Sequence, residues 1–151
     1  MQTKIDLPDE AATRALAASV AKALKPGDVI LLEGPIGVGK TFFARGVIQS
    51  LLGAEEEVPS PTFTLVQIYD GPACDIWHCD LYRLTHPDEA IELGLDEAFE
   101  NAVCLIEWPD RLGSILPDNA LMLAFSIKDD RHQVTMSIPE NWQKRWNALD
   151  V

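Results

Sequence analysis

The chain has 151 residues, a length that suits one domain, and we expect residues 1–151 to form a single domain. Hydrophobic residues make up 47% and charged residues 24%, which is typical of a globular protein and unlike a disordered one. Acidic residues outnumber basic ones by 24 to 12, so the net charge is −12. Direct binding to a nucleic-acid backbone or an anionic membrane is therefore disfavoured, because both draw on clustered Lys and Arg.

The negative charge is concentrated in the middle third of the sequence. Residues 55–110 contain fourteen acids and a single base, Arg83, and so carry −13, whereas residues 1–54 carry +1 and residues 111–151 carry zero. Charge runs of this kind usually form solvated faces. The alternative is a surface that steers the association of a basic partner.

The expected compartment is the cytoplasm. The first eight residues lack the apolar segment of a secretory signal, and no apolar run approaches the roughly 18 residues needed to span a bilayer. The three cysteines, an odd number without a close pair, fit a reducing compartment. We therefore expect a cytoplasmic protein without membrane association.

Sequence patterns predict alternating strands and helices along the chain. In chain order, we predict a strand at 2–6, a helix at 8–24, a strand at 29–32, a helix at 40–52, strands at 63–69 and 74–81, a helical stretch at 87–100 broken near Gly94, a strand at 102–106, a short helix at 109–116, a hairpin of 121–128 and 133–138 joined at Asp129 and Asp130, and a helix at 139–149. The runs at 29–32 and 102–106 are continuously apolar, as expected for parallel strands buried on both faces. The pattern predicts an α/β fold whose mixed sheet has a parallel core and antiparallel hairpins.

The strongest functional signal is the glycine-rich segment between the strand at 29–32 and the helix at 40–52. The pattern G-x-x-x-x-G-K-[ST] is matched by Gly34, Pro35, Ile36, Gly37, Val38, Gly39, Lys40 and Thr41. The glycines allow successive backbone N–H groups to face phosphate oxygens, and the following helix directs its positive end to the same anion. Lys40 is expected to reach the β- and γ-phosphates, and the Thr41 hydroxyl is expected to hold Mg²⁺. This segment therefore predicts a phosphate-binding loop, or P-loop.

Two acidic residues follow predicted strands and are candidates for the Mg²⁺ side of such a site. Glu107 directly follows the apolar strand at 102–106, so it is expected at the carboxyl edge of the sheet, where ligands of open α/β folds bind. Asp80 ends another strand and is a candidate to hold Mg²⁺, to orient water or to act as a base. The alternatives are a surface glutamate for Glu107 and a capping or turn aspartate for Asp80.

Two further segments are candidates for nucleotide contacts. Ser60 and Thr62 follow the helix after the P-loop, where a threonine can sense the γ-phosphate and Mg²⁺; a plain start of a strand is the alternative. Trp108 follows Glu107 and either lies near the nucleotide or simply packs in the fold, which is the commoner role of tryptophan.

Several separate segments together resemble the TsaE (YjeE) family, the small bacterial P-loop ATPases of tRNA threonylcarbamoyladenosine synthesis. The matching segments are residues 26–28, 31–41, 58–65, 78–84, 92–97 and 106–109. The P-loop alone is generic, but the Ser-Pro-Thr-Phe and Asp-Leu-Tyr-Arg-Leu segments among them are specific. The resemblance implies a P-loop NTPase-like fold of three layers.

The resemblance also implies the activity, cofactors and partners. It implies ATP hydrolysis with Mg²⁺, weak in the isolated chain, in the service of the TsaD and TsaB proteins, which attach the threonylcarbamoyl group to the adenosine beside the anticodon. This chain would not be the transferase, and it would meet tRNA only indirectly through that complex. The expected catalytic residues are Lys40, Thr62, Asp80 and Glu107, the expected Mg²⁺ ligands are Thr41, Asp80 and Glu107, and the expected nucleotide contacts are the P-loop residues with Ser60 and Arg131. The adenine contacts are expected near the first helix and at the hairpin residues Arg131 and His132.

Two other functions share the P-loop. One is a small-molecule kinase, which usually needs basic groups around the donor and acceptor phosphates, and residues 55–110 offer only Arg83. The other is a non-enzymatic adaptor whose nucleotide state controls the docking of a partner.

Overall fold

A computed structural model describes residues 1–35, 37–61 and 64–149 of the chain. Within these residues the strands are β1 (Gln2–Leu7), β2 (Val29–Glu33), β3 (Val66–Asp70), β4 (Asp75–Asp80), β5 (Val103–Glu107), β6 (Leu121–Lys128) and β7 (Arg131–Ser137). The helices are α1 (Glu10–Ala23), α2 (Lys40–Leu52), α3 (Asp88–Glu92), α4 (Leu95–Asn101) and α5 (Glu140–Ala148), with a 3₁₀ segment at Pro109–Ile115.

The seven strands of the described residues form one mixed sheet in the order β1-β7-β6-β2-β5-β4-β3. The central strands β6, β2, β5 and β4 run parallel, and β1, β7 and β3 pair antiparallel at the two sides. The predicted α/β fold with a mixed sheet is therefore confirmed. Because β2, β4 and β5 are parallel, their carboxyl ends meet at one edge, which brings the P-loop, Asp80 and Glu107 together.

Helices cover both faces of the sheet and produce three layers. On one face, α1, α2 and α5 pack with the sheet, and Trp142 of α5 is completely buried there. The side chains of α3, α4 and the 3₁₀ segment form a second apolar cluster on the other face. Helices α1 and α2 approach closely at Gly46, where an added Cβ would lie 2.9 Å from the Cβ of Ala17. Of the described helices, none combines the length and apolar character that crossing a membrane requires.

The predicted strand boundaries are reproduced to within one residue except for the starts of two strands. Of the strand predicted at 63–69, Phe63 lies outside the described residues, and the strand begins at Val66, because Leu65 adopts a left-handed backbone conformation with φ of 67°. The strand predicted at 133–138 begins earlier, at Arg131, because Asp129 and Asp130 take positive φ values of 53° and 62° and close a two-residue hairpin turn. A short apolar run predicts the existence of a strand more reliably than it predicts the residue at which the strand starts.

The C-terminal helix is held to the turn before β2 by a largely buried ion pair. Both oxygens of Asp28 accept from the Arg145 guanidinium, at 2.5 and 3.1 Å, and Asp28 also accepts from the backbone N–H of Lys25. Arg145 in addition donates to the carbonyl of Ala23 and lies over the ring of Trp142. This arrangement links the end of α1, the start of β2 and α5 in one network.

Candidate functional site

The predicted edge of the sheet carries a cavity of about 460 Å³. It is lined by residues from the P-loop and α2, from the segment after α2, and from the ends of β4 and β5: Gly37, Gly39, Lys40, Thr41, Phe42, Ser60, Asp80, Tyr82, Glu107 and Trp108. Three buried charged side chains, Lys40, Asp80 and Glu107, converge on this cavity. Most of the residues expected from the sequence to serve phosphate and Mg²⁺ are therefore neighbours.

Glycine is required at two positions of the P-loop. Gly34 has φ of 140°, and a Cβ placed there would lie 2.6 Å from the carbonyl oxygen of Phe125 in β6. Gly39 has φ of 108° and precedes the first residue of α2, so a left-handed residue starts the helix. The first turn of α2 contains no acidic residue, and its positive end therefore faces the cavity without a competing carboxylate from that turn.

Glu107 is connected to α2 through a side-chain hydrogen bond. The hydroxyl of Thr41 donates to Glu107, with its Oγ1 2.8 Å from Oε1 and 3.0 Å from Oε2. The Glu107 carboxyl is also 2.8 Å from Nε2 of His78, a fully buried residue of β4. Glu107 is only 2% exposed, so its interpretation as a surface glutamate at a strand end is wrong.

Lys40 is buried and directed at groups within the protein. Its Nζ donates to the carbonyl oxygen of Gly34 at 2.6 Å and lies 3.6 Å from the centre of the Trp108 ring. Burial lowers the pKa of the Lys40 ammonium below its ordinary value, and the carboxylates of Glu107 and Asp80 oppose that shift. A phosphate anion in the cavity would act in the same direction as those carboxylates and stabilise the charged form.

Asp80 is both a turn aspartate and a cavity residue. Its Oδ1 accepts from the backbone N–H of Tyr82 at 3.1 Å, which is the local bond expected of an aspartate at a turn. It is also 6% exposed, lines the cavity and is paired in register with Glu107 on the adjacent parallel strand. Asp80 therefore makes the bond expected of a turn aspartate and also lies at the cavity.

Aromatic side chains form one wall of the cavity. Trp108 has φ of 61°, precedes Pro109 and packs against Tyr82 with ring centroids 4.9 Å apart. Tyr82 is 45% exposed, and the Arg111 guanidinium lies 5.7 Å from its ring centre. Trp108 thus packs in the fold and also lies at the site, in contact with the P-loop lysine.

The segment after α2 is attached to that helix. Arg45 donates to the carbonyl of Val58 at 3.0 Å, and Gln49 donates to the carbonyl of Glu56 at 3.1 Å. These bonds bring Ser60 to the cavity, where it is exposed. Two of the expected site residues, Thr62 and Ile36, lie outside the described residues.

A second cavity, of about 320 Å³, lies on the other side of the P-loop. It is lined by Leu7, Pro8, Asp9, Glu10, Thr13, Gly37, Val38, Gly39, Phe42, Phe125 and His132. The ring of His132 donates from Nδ1 to the carbonyl of Val38 at 3.2 Å, which ties the hairpin to the P-loop. The two cavities share three lining residues, Gly37, Gly39 and Phe42, and are therefore adjacent.

The two remaining expected nucleotide contacts, Pro35 and Arg131, are exposed. Among the residues that the structure describes, neither belongs to the lining of these two cavities. Arg131 opens β7 opposite Lys128, one residue away from His132. His132 is thus the hairpin residue found at the second cavity.

The sequence interpretation gave His78 no role at this site. Strand alternation places His78 on the same face of β4 as Asp80, and that signal is present in the sequence. Its contact with Glu107 depends on how β4 aligns with β5, which no local pattern specifies.

Comparison with known proteins identifies the family. The family model for the threonylcarbamoyl adenosine biosynthesis protein TsaE matches residues 7–136. The chain belongs to the TsaE family. A TsaE protein of Rickettsia bellii is 43% identical over 124 residues, covering 82% of this chain and 86% of that protein. A TsaE protein of Bacillus subtilis is 39% identical over 136 residues, covering 89% and 83% respectively.

A solved structure supports the same assignment. The crystal structure of YdiB from Bacillus subtilis superposes with a TM-score of 0.80 at 31% identity, covering 97% of this chain and 93% of that one. The part of the chain that matches the TsaE model includes every lining residue of both cavities, and it ends before α5. The ion pair of Arg145 with Asp28 therefore joins the TsaE core to a helix outside the matched range.

Proposed function

We propose that this protein binds ATP with Mg²⁺ at the P-loop, hydrolyses it, and thereby serves the threonylcarbamoyl modification of tRNA. Its TsaE relatives are named for tRNA threonylcarbamoyladenosine biosynthesis. The observation that carries the proposal is the hydrogen bond from the P-loop hydroxyl of Thr41 to the buried carboxyl of Glu107, beside a cavity large enough for a phosphate chain. An oriented hydroxyl beside an acid at a strand end is the arrangement that P-loop NTPases use on the Mg²⁺ side.

The donor groups at the cavity fit Mg²⁺. This ion prefers oxygen ligands and is usually held by one or two carboxylates together with the substrate's phosphates. Thr41, Glu107 and Asp80 offer such oxygens, and within the described residues no cluster of three or more His, Cys, Asp or Glu side chains could hold a metal by itself. The donor set therefore suits an ion that arrives with the nucleotide. When bound, Mg²⁺ would neutralise charge on the β- and γ-phosphate oxygens.

The chain's own groups would do the positioning. When the phosphates bind, the Lys40 ammonium leaves the carbonyl of Gly34 and the ring of Trp108 and contacts phosphate oxygens instead. The N–H groups of the P-loop and α2 bind the remaining phosphate oxygens. Asp80, whose orientation is restrained by its bond to the Tyr82 N–H, orients the attacking water. Ser60 and Thr62 sense the γ-phosphate. Electrostatic stabilisation and positioning supply most of the catalysis in sites of this type.

The second cavity is the proposed place for the nucleoside. A phosphate chain on the P-loop reaches both cavities, because Gly37, Gly39 and Phe42 line both. The second cavity has apolar walls from Leu7, Val38 and Phe125, which suit the faces of a base. We propose that the base contacts come from the start of α1 and from His132, with Arg131 at the rim.

The proposed partners are TsaB and TsaD, with tRNA bound only through them. Among residues 55–110, the acids other than Asp80, Glu107 and the half-buried Glu89 are exposed, so this protein presents a surface that repels nucleic acid. The proposed compartment is the cytoplasm, which suits the three free cysteines of the described residues.

Nucleotide binding and turnover test the proposal. Calorimetry with ATP and ADP, with Mg²⁺ or with EDTA, measures affinity, and phosphate release measures turnover for the chain alone and with TsaB–TsaD. The Lys40→Ala variant should lose most of its affinity and turnover, and Lys22→Ala, on an exposed position of α1, is the matched control. Unchanged binding and turnover in Lys40→Ala would contradict the assignment. Binding without turnover under all conditions would indicate the adaptor, and transfer to a metabolite would indicate a kinase.

A further inference from the structure

A buried histidine behind the cavity has no part in the proposed phosphate chemistry. His78 is 0% exposed in β4, and its Cα is paired in register with that of Leu105 on the neighbouring strand β5. Its Nε2 is 2.8 Å from Oε2 of Glu107, the carboxyl that also receives the Thr41 hydroxyl. The three side chains come from β4, β5 and α2 and form one hydrogen-bonded chain.

The partners determine the direction of each bond in this chain. A carboxylate only accepts hydrogen bonds, so the proton of the His78 contact is on Nε2, and His78 donates to Glu107. The other ring nitrogen, Nδ1, is buried and has no hydrogen-bond partner among the described residues. An unpartnered N–H at that depth would cost more than an unpartnered lone pair of a neutral ring. His78 therefore donates to Glu107 from Nε2.

We propose that His78 is a positioning residue that holds the Glu107 carboxyl in the orientation that receives the Thr41 proton. A hydroxyl has one proton and two lone pairs. When the Thr41 proton is bound to Glu107, its lone pairs are directed at the cavity, which is the orientation that a Mg²⁺ ion entering with nucleotide needs. This inference rests on the proposed function of the site. In this proposal, His78 influences how tightly the site binds Mg²⁺, whereas the P-loop makes the contacts with the nucleotide.

Two amide variants separate positioning from packing. The amide nitrogen of glutamine stands about where Nε2 of histidine does, and that of asparagine about where Nδ1 does, so His78→Gln keeps the donor and His78→Asn withdraws it from reach. Ile76→Val, on the same strand and face, is the control for loss of packing. For each purified variant, ADP affinity is measured by calorimetry across a Mg²⁺ series and in EDTA, and ATP turnover is measured across the same series.

The expected result is a selective loss of Mg²⁺ dependence in one variant. His78→Asn should need about 10-fold more Mg²⁺ for half-maximal ADP affinity, as is usual when a residue behind a metal ligand is lost, while its ADP affinity in EDTA stays within about twofold of the wild type. His78→Gln should recover most of the difference, and Ile76→Val should follow the wild-type Mg²⁺ curve.

Several outcomes would overturn the proposal. Equal Mg²⁺ curves for His78→Asn and the wild type would do so, as would an equal shift in Ile76→Val or an equal loss of affinity in EDTA. If His78→Asn does not fold, His78→Gln decides alone, because a shifted curve in that folded variant contradicts the donor role. If the ADP affinity of the wild type is independent of Mg²⁺, the proposed function itself is refuted. If the wild type binds ADP in a Mg²⁺-dependent way and the His78 variants behave like it, only the role of His78 is refuted.

Discussion

Two buried carboxyls at opposite ends of the parallel strands have different surroundings. Asp28, just before β2, is matched by the Arg145 guanidinium through two hydrogen bonds, and a backbone N–H completes its shell. Glu107, at the far end of β5, receives hydrogen bonds from Thr41 and His78, with no arginine among the bonds described for it. A buried carboxyl that is paired with an arginine through two hydrogen bonds serves stability. Glu107 interacts electrostatically with the Lys40 ammonium but makes its hydrogen bonds to a hydroxyl and an imidazole, so its oxygens remain able to serve a cation. We infer a structural role for the first carboxyl and a ligand-directed role for the second.

Loss of Arg145 should produce the largest change in stability. Arg145→Met leaves the Asp28 carboxyl buried without its counter-charge, and breaking such a pair costs about 3–5 kcal/mol in the free energy of unfolding. Urea denaturation measures this loss. Arg14→Met, which removes the exposed pair with Glu10, is the matched control and should cost less than about 1 kcal/mol. A loss below 1 kcal/mol for Arg145→Met would remove the distinction between the two carboxyls, and adding Asp28→Asn should restore part of the loss.

Replacing the other carboxyl should affect turnover with little effect on folding. Glu107→Gln keeps the size and one oxygen acceptor, so the free energy of unfolding should change by no more than about 1 kcal/mol. ATP turnover should fall by about 10²–10³-fold, the usual consequence of removing one electrostatic contact of a transition state. Phosphate release and urea denaturation on the same preparation test both parts. A variant that unfolds easily but retains turnover would reverse the two roles.

The pH dependence of the free energy of unfolding should show that burying the charged Lys40 side chain destabilises the folded chain. Burial lowers the pKa of Lys40 in the folded chain, so the unfolded chain binds its proton more tightly than the folded one between that lowered pKa and the ordinary value of 10.5. Without nucleotide, the free energy of unfolding of the wild type should therefore rise relative to Lys40→Met as pH increases through this window. Denaturation of both proteins from pH 7 to 10.5 measures the difference. A difference that stays constant or falls would show that nearby carboxylates outweigh burial.

Neutralising exposed carboxyls should produce the smallest change in the free energy of unfolding. Asp96 and Glu97 lie in the first turn of α4 and are exposed, so their main local benefit is the interaction with the positive end of the helix. Asp96→Asn with Glu97→Gln should lower the free energy of unfolding by only about 1 kcal/mol and leave the Mg²⁺ dependence of ADP affinity unchanged. Thermal denaturation and calorimetry test this expectation, and a loss as large as that of Arg145→Met would contradict it.

Local chemistry explains why much of the fold was predictable. The P-loop segment, the apolar runs that became β2 and β5, and the break at Gly94 all have signals within a few residues. The predicted starts of β3 and β7 were wrong, although the turn at Asp129 and Asp130 was predicted correctly. The positive φ of Leu65 delays β3, and pairing in the hairpin extends β7 back to Arg131, and the alternating patterns reveal neither effect.

The site itself was only partly predictable. Glu107 and Asp80 were identified as acids following strands, but His78 was assigned no role, and Trp108 was expected mainly to pack. The decisive contacts join residues far apart in the sequence, 66 positions for Thr41 with Glu107 and 29 for His78 with Glu107. The register of β4 against β5 and the placement of α2 bring them together, and both depend on packing across the whole core.

The sequence by itself therefore determined the family, the glycine-rich segment between β2 and α2 and the order of strands and helices, because each has a local pattern of glycine, charge or hydrophobic spacing. Only the tertiary structure decided which carboxyl is neutralised by an arginine and which is supported by a hydroxyl and an imidazole. Net charge and composition can be read from the sequence, whereas the partner of a buried charge depends on how segments distant in the sequence pack together.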